Sequence, residues 1–199
     1  MTIDRARFAQ GLTYDAFKAQ MTRNRDRFEE NERRVQLRTD DLAAFRALPR
    51  TLSVMVLAED WCGDVIANLP VLGRLARESG KLDLRIFLRD QNDDIMQRYL
   101  NRGQFKSIPV FVFFDEAFRE VGHWIERPAS VTDLRAKRRA EIFAAHPEFG
   151  SPDAPVDQLP EDVRARLAAE LQKMRDETTA FANGEVAREL REIVTRVAA

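Results

Sequence analysis

The residues best suited to chemistry surround a single cysteine. They lie between a predicted buried strand and a predicted helix, and they read Glu59-Asp60-Trp61-Cys62-Gly63-Asp64. A cysteine at a helix N-terminus faces unpaired backbone N–H groups and the positive end of the helix dipole, which both favour the thiolate. Because the thiolate is the nucleophilic form, this position predicts a reactive sulfur and makes Cys62 the candidate catalytic residue.

The residues next to Cys62 have opposing effects on the reactivity of its thiol. Gly63 removes side-chain bulk beside the sulfur, and Trp61 supplies an apolar wall. The negative charge of Asp64 favours the neutral thiol and therefore raises its pKa. The alternative is that Cys62 is an inert, small apolar residue, as most buried cysteines are.

Several residues in order along the chain resemble the thioredoxin superfamily. Trp61-Cys62-Gly63 resembles the Trp-Cys-x-x-Cys corner of that family, and Pro70 matches the proline that bends its active-site helix. Ile108-Pro109 resembles its cis-proline loop, and Gly122 matches a glycine in its last strand. The resemblance covers about residues 52–143 and is to a bacterial thioredoxin-like group with an N-terminal helical extension.

The resemblance implies a groove in which a partner chain lies against the cis-proline loop. The substrate-binding residues that it implies are Trp61, Gly63, Asp64, Ile108 and Pro109. The partner it implies is a protein disulfide or a low-molecular-weight thiol.

Two positions depart from the family pattern. Val65 stands where the group has its second cysteine, and Val56 stands where thioredoxins keep a buried acid. Glu59 and Asp60 lie nearer the corner and are candidates to replace that acid. Without a resolving thiol, Cys62 would form a mixed disulfide that an external thiol must release. The resemblance therefore implies a monothiol oxidoreductase-like protein that lacks the resolving cysteine.

Two other functions remain open. The first is a redox-inactive binding module that uses the cis-proline groove and the helical arms to hold a protein. The second is an iron–sulfur site shared between two chains through their thiols. No cofactor and no metal site is expected within one chain, because His123 and His146 lack zinc-ligand spacing to Cys62. A Cys62–His123 dyad is conceivable, although strand residues near a hairpin usually point elsewhere.

The elements that position this corner form an α/β pattern. Leu52–Ala58 and Leu82–Leu88 are predicted strands, and an intervening helix over about 62–78 predicts a parallel pair. The strands predicted at Pro109–Phe114 and Arg119–Ile125 are joined by four residues, as in an antiparallel hairpin. A thioredoxin-like fold with a mixed sheet and flanking helices follows.

Helical segments extend this core on both sides. We predict an N-terminal helical extension over 1–50, the thioredoxin-like domain over 51–145, a linker over 146–160 and a C-terminal helical extension over 161–199. The C-terminal extension is expected to break at Asn183-Gly184. The helices of these two extensions carry more apolar surface than is needed to cover the core. This excess suggests a homodimer, in which part of that surface covers a neighbouring chain.

The composition limits the classes of partner and the cellular compartment that we expect for this protein. Lys and Arg (32) nearly balance Asp and Glu (33), so the net charge of −1 gives no field that would attract nucleic acid or an anionic membrane. The N-terminus lacks the apolar stretch of a secretory signal, and the apolar runs are too short to span a bilayer. One cysteine fits a reducing compartment, so a cytoplasmic protein is expected.

Overall fold

The computed structural model describes residues 3–198, which divide into two compact units. The first unit contains residues 3–127 and 183–198, and the second contains residues 128–182. The helices are α1 (Arg5–Phe8), α2 (Tyr14–Gln20), α3 (Arg25–Arg34), α4 (Thr39–Arg46), α5 (Gly63–Ser79), α6 (Asp93–Met96), α7 (Ala129–Ala145) and α8 (Glu161–Ala198). Short 3-10 turns lie at Arg89–Gln91, Pro147–Phe149 and Val156–Gln158.

A four-stranded mixed sheet forms the centre of the first unit. Its strands are β1 (Leu52–Ala58), β2 (Leu82–Leu88), β3 (Val110–Phe114) and β4 (Glu120–Ile125), in the order β2-β1-β3-β4. β1 pairs with β2 in parallel, whereas β3 pairs antiparallel with both β1 and β4. All of β3 is buried, which explains its unbroken apolar sequence. The predicted α/β fold with a mixed sheet is confirmed.

The N-terminal segment covers the edge of this sheet. Leu12 and Ile86 exchange two backbone hydrogen bonds of 2.8 Å, which protects part of the outer edge of β2. The segment is a series of short helices, and the side chain of Thr13 caps α2 by accepting a hydrogen bond from the backbone N–H of Ala16. Its apolar stripe is buried in the core of the same unit through Phe17, Met21, Phe28 and Val35.

The extension also completes the hydrogen bonding of α5. Pro70 lies inside α5 and has no N–H, so the carbonyl of Ile66 cannot receive the usual bond from four residues ahead. The side chain of Asn31 donates its amide N–H to that carbonyl at 2.9 Å. A residue of α3 therefore compensates for the proline in the helix that begins beside Cys62.

The C-terminal half of α8 belongs to the first unit and packs on its core. A Cβ at Gly122 of β4 would lie 2.9 Å from the side chain of Ile193, so glycine permits this close approach. The predicted break at Asn183-Gly184 is wrong, because α8 is continuous through both residues. Burial of the apolar residues beyond the glycine, such as Leu190 at 0% exposure, outweighs the helix-propensity cost of about 1 kcal/mol for a glycine.

The second unit has a small apolar cluster of its own. Phe143 of α7, Phe149 in a 3-10 turn and Leu167 of α8 are buried together. The segment 146–160, which the sequence predicts as a linker, contributes Phe149 to this cluster.

Across residues 3–198, no helix combines the length and the apolar character that crossing a membrane requires.

Candidate functional site

Cys62 occupies the N-cap position of α5, directly after the turn that follows β1. Its thiol is partly exposed and lies 3.5 Å from the carbonyl oxygen of Ile108, to which it can donate a hydrogen bond. The Ile108–Pro109 peptide bond is cis, and both residues are buried. The structure thus places the predicted nucleophile beside the predicted proline loop.

The charge state of Cys62 follows from competing influences. Burial raises the pKa of the thiol most strongly, and hydrogen bonds from the backbone N–H groups of Val65 and Asp64 lower it. The Asp64 carboxylate raises the pKa, and the Arg89 guanidinium lowers it. The net direction is upward, opposite to the lowered pKa that a helix N-terminus alone predicts. Partial removal from water outweighs the helix because it penalises the charged form.

Glu126 connects the proline loop to the helix that carries Cys62. Its N–H donates to the carbonyl of Pro109 at 2.8 Å, and its own carbonyl accepts a 2.8 Å bond from Asn68 of α5. Its side chain accepts a 2.7 Å bond from Asn101, in the loop before the proline. Glu126 has a φ of 66°, a left-handed conformation that is uncommon for residues other than glycine.

A salt bridge borders the first turn of α5. Asp64, predicted as a substrate-binding residue, lies 3.4 Å from the guanidinium of Arg127. Arg127 also forms an ion pair with the carboxylate of Glu126. The Asp64 carboxylate is therefore held by a cation that follows β4.

The other predicted groove residues differ in exposure. Trp61 is 40% exposed, and the guanidinium of Arg89 lies 4.7 Å from the centroid of its ring. Apart from its chain neighbours Cys62 and Asp64, a Cβ at Gly63 would meet no atom within 4 Å, so the space at this residue is open. The chain neighbours of Cys62 are thus the Trp61 ring, on which the Arg89 guanidinium lies, and the open space at Gly63.

The two acids before Trp61 have different roles. The carboxylate of Asp60 accepts bonds from the backbone N–H groups of Thr22 (2.7 Å) and Arg23 (3.0 Å), so it anchors the N-terminal extension. Glu59 is buried at 8% exposure and accepts a 2.8 Å bond from the N–H of Asp90. Burial raises the pKa of Glu59. Both carboxylates therefore accept hydrogen bonds, but Glu59 is buried, whereas Asp60 binds the N-terminal extension.

Comparison with known proteins decides the family. The family model described as thioredoxin matches residues 11–140, which is more than half of the chain. The chain belongs to the thioredoxin family. No match is found among curated proteins.

Solved structures share this thioredoxin fold at low sequence identity. A crystal structure of an HIV epitope scaffold has a TM-score of 0.65 and 19% identity, covering 97% of this chain and 98% of the scaffold. A protein of unknown function from Pseudomonas aeruginosa has a TM-score of 0.60 and 18% identity, covering 88% of this chain and 99% of its own. At these identities the likeness concerns the fold.

This chain departs from the two-cysteine pattern inside its core. Val65 and Val56 are both fully buried.

The ring of His123 is hydrogen-bonded to Glu120 at 2.7 Å and packs edge-on against the ring of Tyr99. Among residues 3–198, no group of three or more His, Cys, Asp and Glu side chains is arranged to hold a metal ion.

Sequence reasoning missed Arg89, Asn68, Glu126 and Arg127 around this site. One signal was available, because Glu126 and Arg127 directly follow the last strand. The antiparallel register pairs Val110 with Ile125, which brings the residues after β4 next to Pro109. No comparable pattern marked Asn68 or Arg89, whose contacts join segments distant in sequence.

Proposed function

We propose that this protein carries out monothiol thiol–disulfide exchange at Cys62. The observation that carries the proposal is the partly exposed Cys62 sulfur at the start of α5, 3.5 Å from the Ile108 carbonyl in a thioredoxin fold. Trp61, Gly63, Asp64, Ile108 and Pro109 form the groove that would receive the partner. The partner is a protein disulfide or the disulfide adduct of a low-molecular-weight thiol.

The exchange needs two thiol reactions. The Cys62 thiolate attacks one sulfur of a disulfide, forms a mixed disulfide and releases the other sulfur as a thiolate that takes up a proton. A thiolate from an external thiol then attacks the partner's sulfur in the mixed disulfide. This second step forms a new disulfide between the external thiol and the partner and returns the electron pair to Cys62. Val65 cannot perform the second step, so the external thiol is obligatory.

The raised pKa of Cys62 sets the expected pH dependence. Below its pKa most of the sulfur is neutral thiol, so the rate of mixed-disulfide formation should rise with pH through the free-thiol value of about 8.5. The rate should level off only above that value. Once formed, a thiolate of higher pKa is intrinsically more nucleophilic, which offsets part of its low population.

Intact-mass spectrometry tests this proposal directly. The protein is incubated with hydroxyethyl disulfide from pH 6 to pH 10, and the adduct is then treated with reduced glutathione. We expect one adduct per chain, formed faster at higher pH and removed by glutathione, and no adduct on Cys62→Ser. Absence of an adduct at every pH, or an adduct that glutathione leaves in place, would reject monothiol exchange.

A redox-inactive binding module is the second candidate. It is favoured by the burial that raises the pKa of the Cys62 thiol and by the exposed Trp61 beside it. In this function, Cys62→Ser should retain the same partner chains as the native protein under reducing conditions, whereas Trp61→Ala should release them. Loss of the partners with Cys62→Ser alone would favour exchange instead.

Much of the apolar surface of the helical extensions is buried within the chain, which limits how far the extensions can contribute to binding a partner. The N-terminal stripe is buried in the core of its own chain, as are Val186 and Leu190 of α8. The homodimer therefore stays a prediction, and sedimentation of the purified protein tests it. A single species of about 23 kDa would reject it.

A further inference from the structure

Three charged side chains lie in a row beside Cys62. Arg127 Nη2 lies 3.4 Å from Asp64 Oδ2 and also contacts Glu126 Oε1. The other oxygen of Glu126 accepts the 2.7 Å bond from Asn101 Nδ2. The row joins the first turn of α5 to the residues after β4 and to the loop before Pro109.

The backbone holds the central cation in place. Glu126 is bonded through its N–H to Pro109 and through its carbonyl to Asn68, which is 4% exposed. These two bonds hold the backbone on both sides of Glu126, directly before Arg127. An arginine held on both sides by carboxylates loses little further entropy when it acts on a third group.

Charged side chains act on the Cys62 sulfur from three elements. Asp64 of α5 opposes ionisation of the thiol, and Arg89 after β2 favours it. Arg127 after β4 interacts with the same sulfur: burial lowers the pKa of its guanidinium, whereas the charges of Asp64, Glu126 and the Cys62 thiolate raise it. Asp64 and Arg127 are paired and carry opposite charges, so their effects on the sulfur oppose each other.

We propose that Arg127 is a positioning residue whose guanidinium, held by Glu126, balances the Asp64 carboxylate and so preserves the thiolate of Cys62 for exchange. This role rests on the proposed function, since it concerns the nucleophile of that reaction. Arg127 acts through the charge balance at the start of α5 and forms no bond with the partner. The two carboxylates of the row would otherwise leave net negative charge beside the sulfur.

The pH profile of alkylation by iodoacetamide isolates this role. Arg127→Met should move the alkylation midpoint of Cys62 upward, and the rate at neutral pH should fall about 3- to 10-fold, since one pKa unit is tenfold in thiolate. Asp64→Asn should move the midpoint downward. The double variant should return close to the native midpoint, because both charges are then absent.

Matched variants control for folding and for general charge. Arg127→Lys retains the charge and should keep most of the native midpoint. Arg50→Met removes a cation that precedes β1, a seven-residue strand about 23 Å long that Cys62 follows, and should leave the profile unchanged. Circular dichroism identifies any variant that fails to fold.

The outcomes separate this inference from the proposed function. An unchanged or lowered midpoint in Arg127→Met would overturn the inference. If that variant does not fold, an unchanged midpoint in Asp64→Asn would overturn it equally. Alkylation measures ionisation even when no disulfide is exchanged, so failure of hydroxyethyl disulfide to react would reject exchange without affecting this result.

Discussion

At the scale of single residues, position 65 decides whether the site resolves its own mixed disulfide. Val65 is fully buried three residues after Cys62, and its backbone N–H lowers the pKa of the Cys62 thiol. Residues three apart are neighbours on a helix surface, within the Cα separation that a disulfide needs. The chemistry proposed for this protein therefore depends on one side chain that cannot react.

Val65→Cys should restore an intramolecular disulfide. After mild oxidation, we expect the variant to lose both free thiols in an Ellman titration and to release a mixed disulfide without external thiol. The smaller side chain should cost about 1 kcal/mol of unfolding free energy. Val71→Cys is the control, since position 71 is also buried in α5 but lies about 13 Å from Cys62 along the helix axis. Two free thiols remaining in oxidised Val65→Cys would contradict the geometry.

At the scale of elements, the N-terminal extension is part of the machinery that holds α5. Asp60 anchors the extension beside the corner, and Asn31 satisfies the Ile66 carbonyl that Pro70 leaves without a partner. A proline inside a helix normally costs about 3 kcal/mol, partly through this lost bond. The extension offsets part of that cost from outside the helix.

This compensation predicts a dependence between Asn31 and Pro70. Asn31→Ala should lower the free energy of unfolding by about 1–3 kcal/mol, because it leaves a partly buried carbonyl unpaired. In a Pro70→Ala background the same change should cost much less, since the introduced alanine supplies the missing N–H. Urea denaturation of the four proteins in this cycle measures the coupling. Equal costs in both backgrounds would show that Asn31 acts independently of the proline.

At the scale of the whole molecule, residues 3–198 form two apolar cores. The larger core surrounds the sheet, and the smaller one joins Phe143, Phe149 and Leu167. The candidate site lies entirely within the first unit. The division predicts that damage to the second core leaves Cys62 chemistry intact.

Phe149→Ala tests this division. Removing a fully buried phenylalanine costs about 3–5 kcal/mol, which should abolish hydrogen-exchange protection across residues 128–182. Protection of the β-strands and the rate of Cys62 alkylation should stay at native values. Phe17→Ala is the matched control, since Phe17 is 1% exposed like Phe149 but belongs to the first core. Loss of protection throughout the chain in Phe149→Ala would show a single cooperative unit.

The sequence by itself determined the strands, the helix after Cys62 and the mixed sheet. It could do so because apolar runs, turn residues and helix caps are local signals that burial in the tertiary structure reinforces. The corner around Cys62 and its proximity to Pro109 followed from the family resemblance. The continuity of α8 did not follow, because a glycine weakens a helix locally whereas distant apolar contacts hold this one together.

Only the tertiary structure decided the electrostatics of the site. A helix N-terminus predicts a lowered cysteine pKa, but burial by distant segments reverses the direction for Cys62. The contacts of Arg127 with Asp64 and of Asn31 with Ile66 join residues 63 and 35 positions apart. Solvent exclusion and charge pairing depend on distances in space, which no local pattern in the chain records.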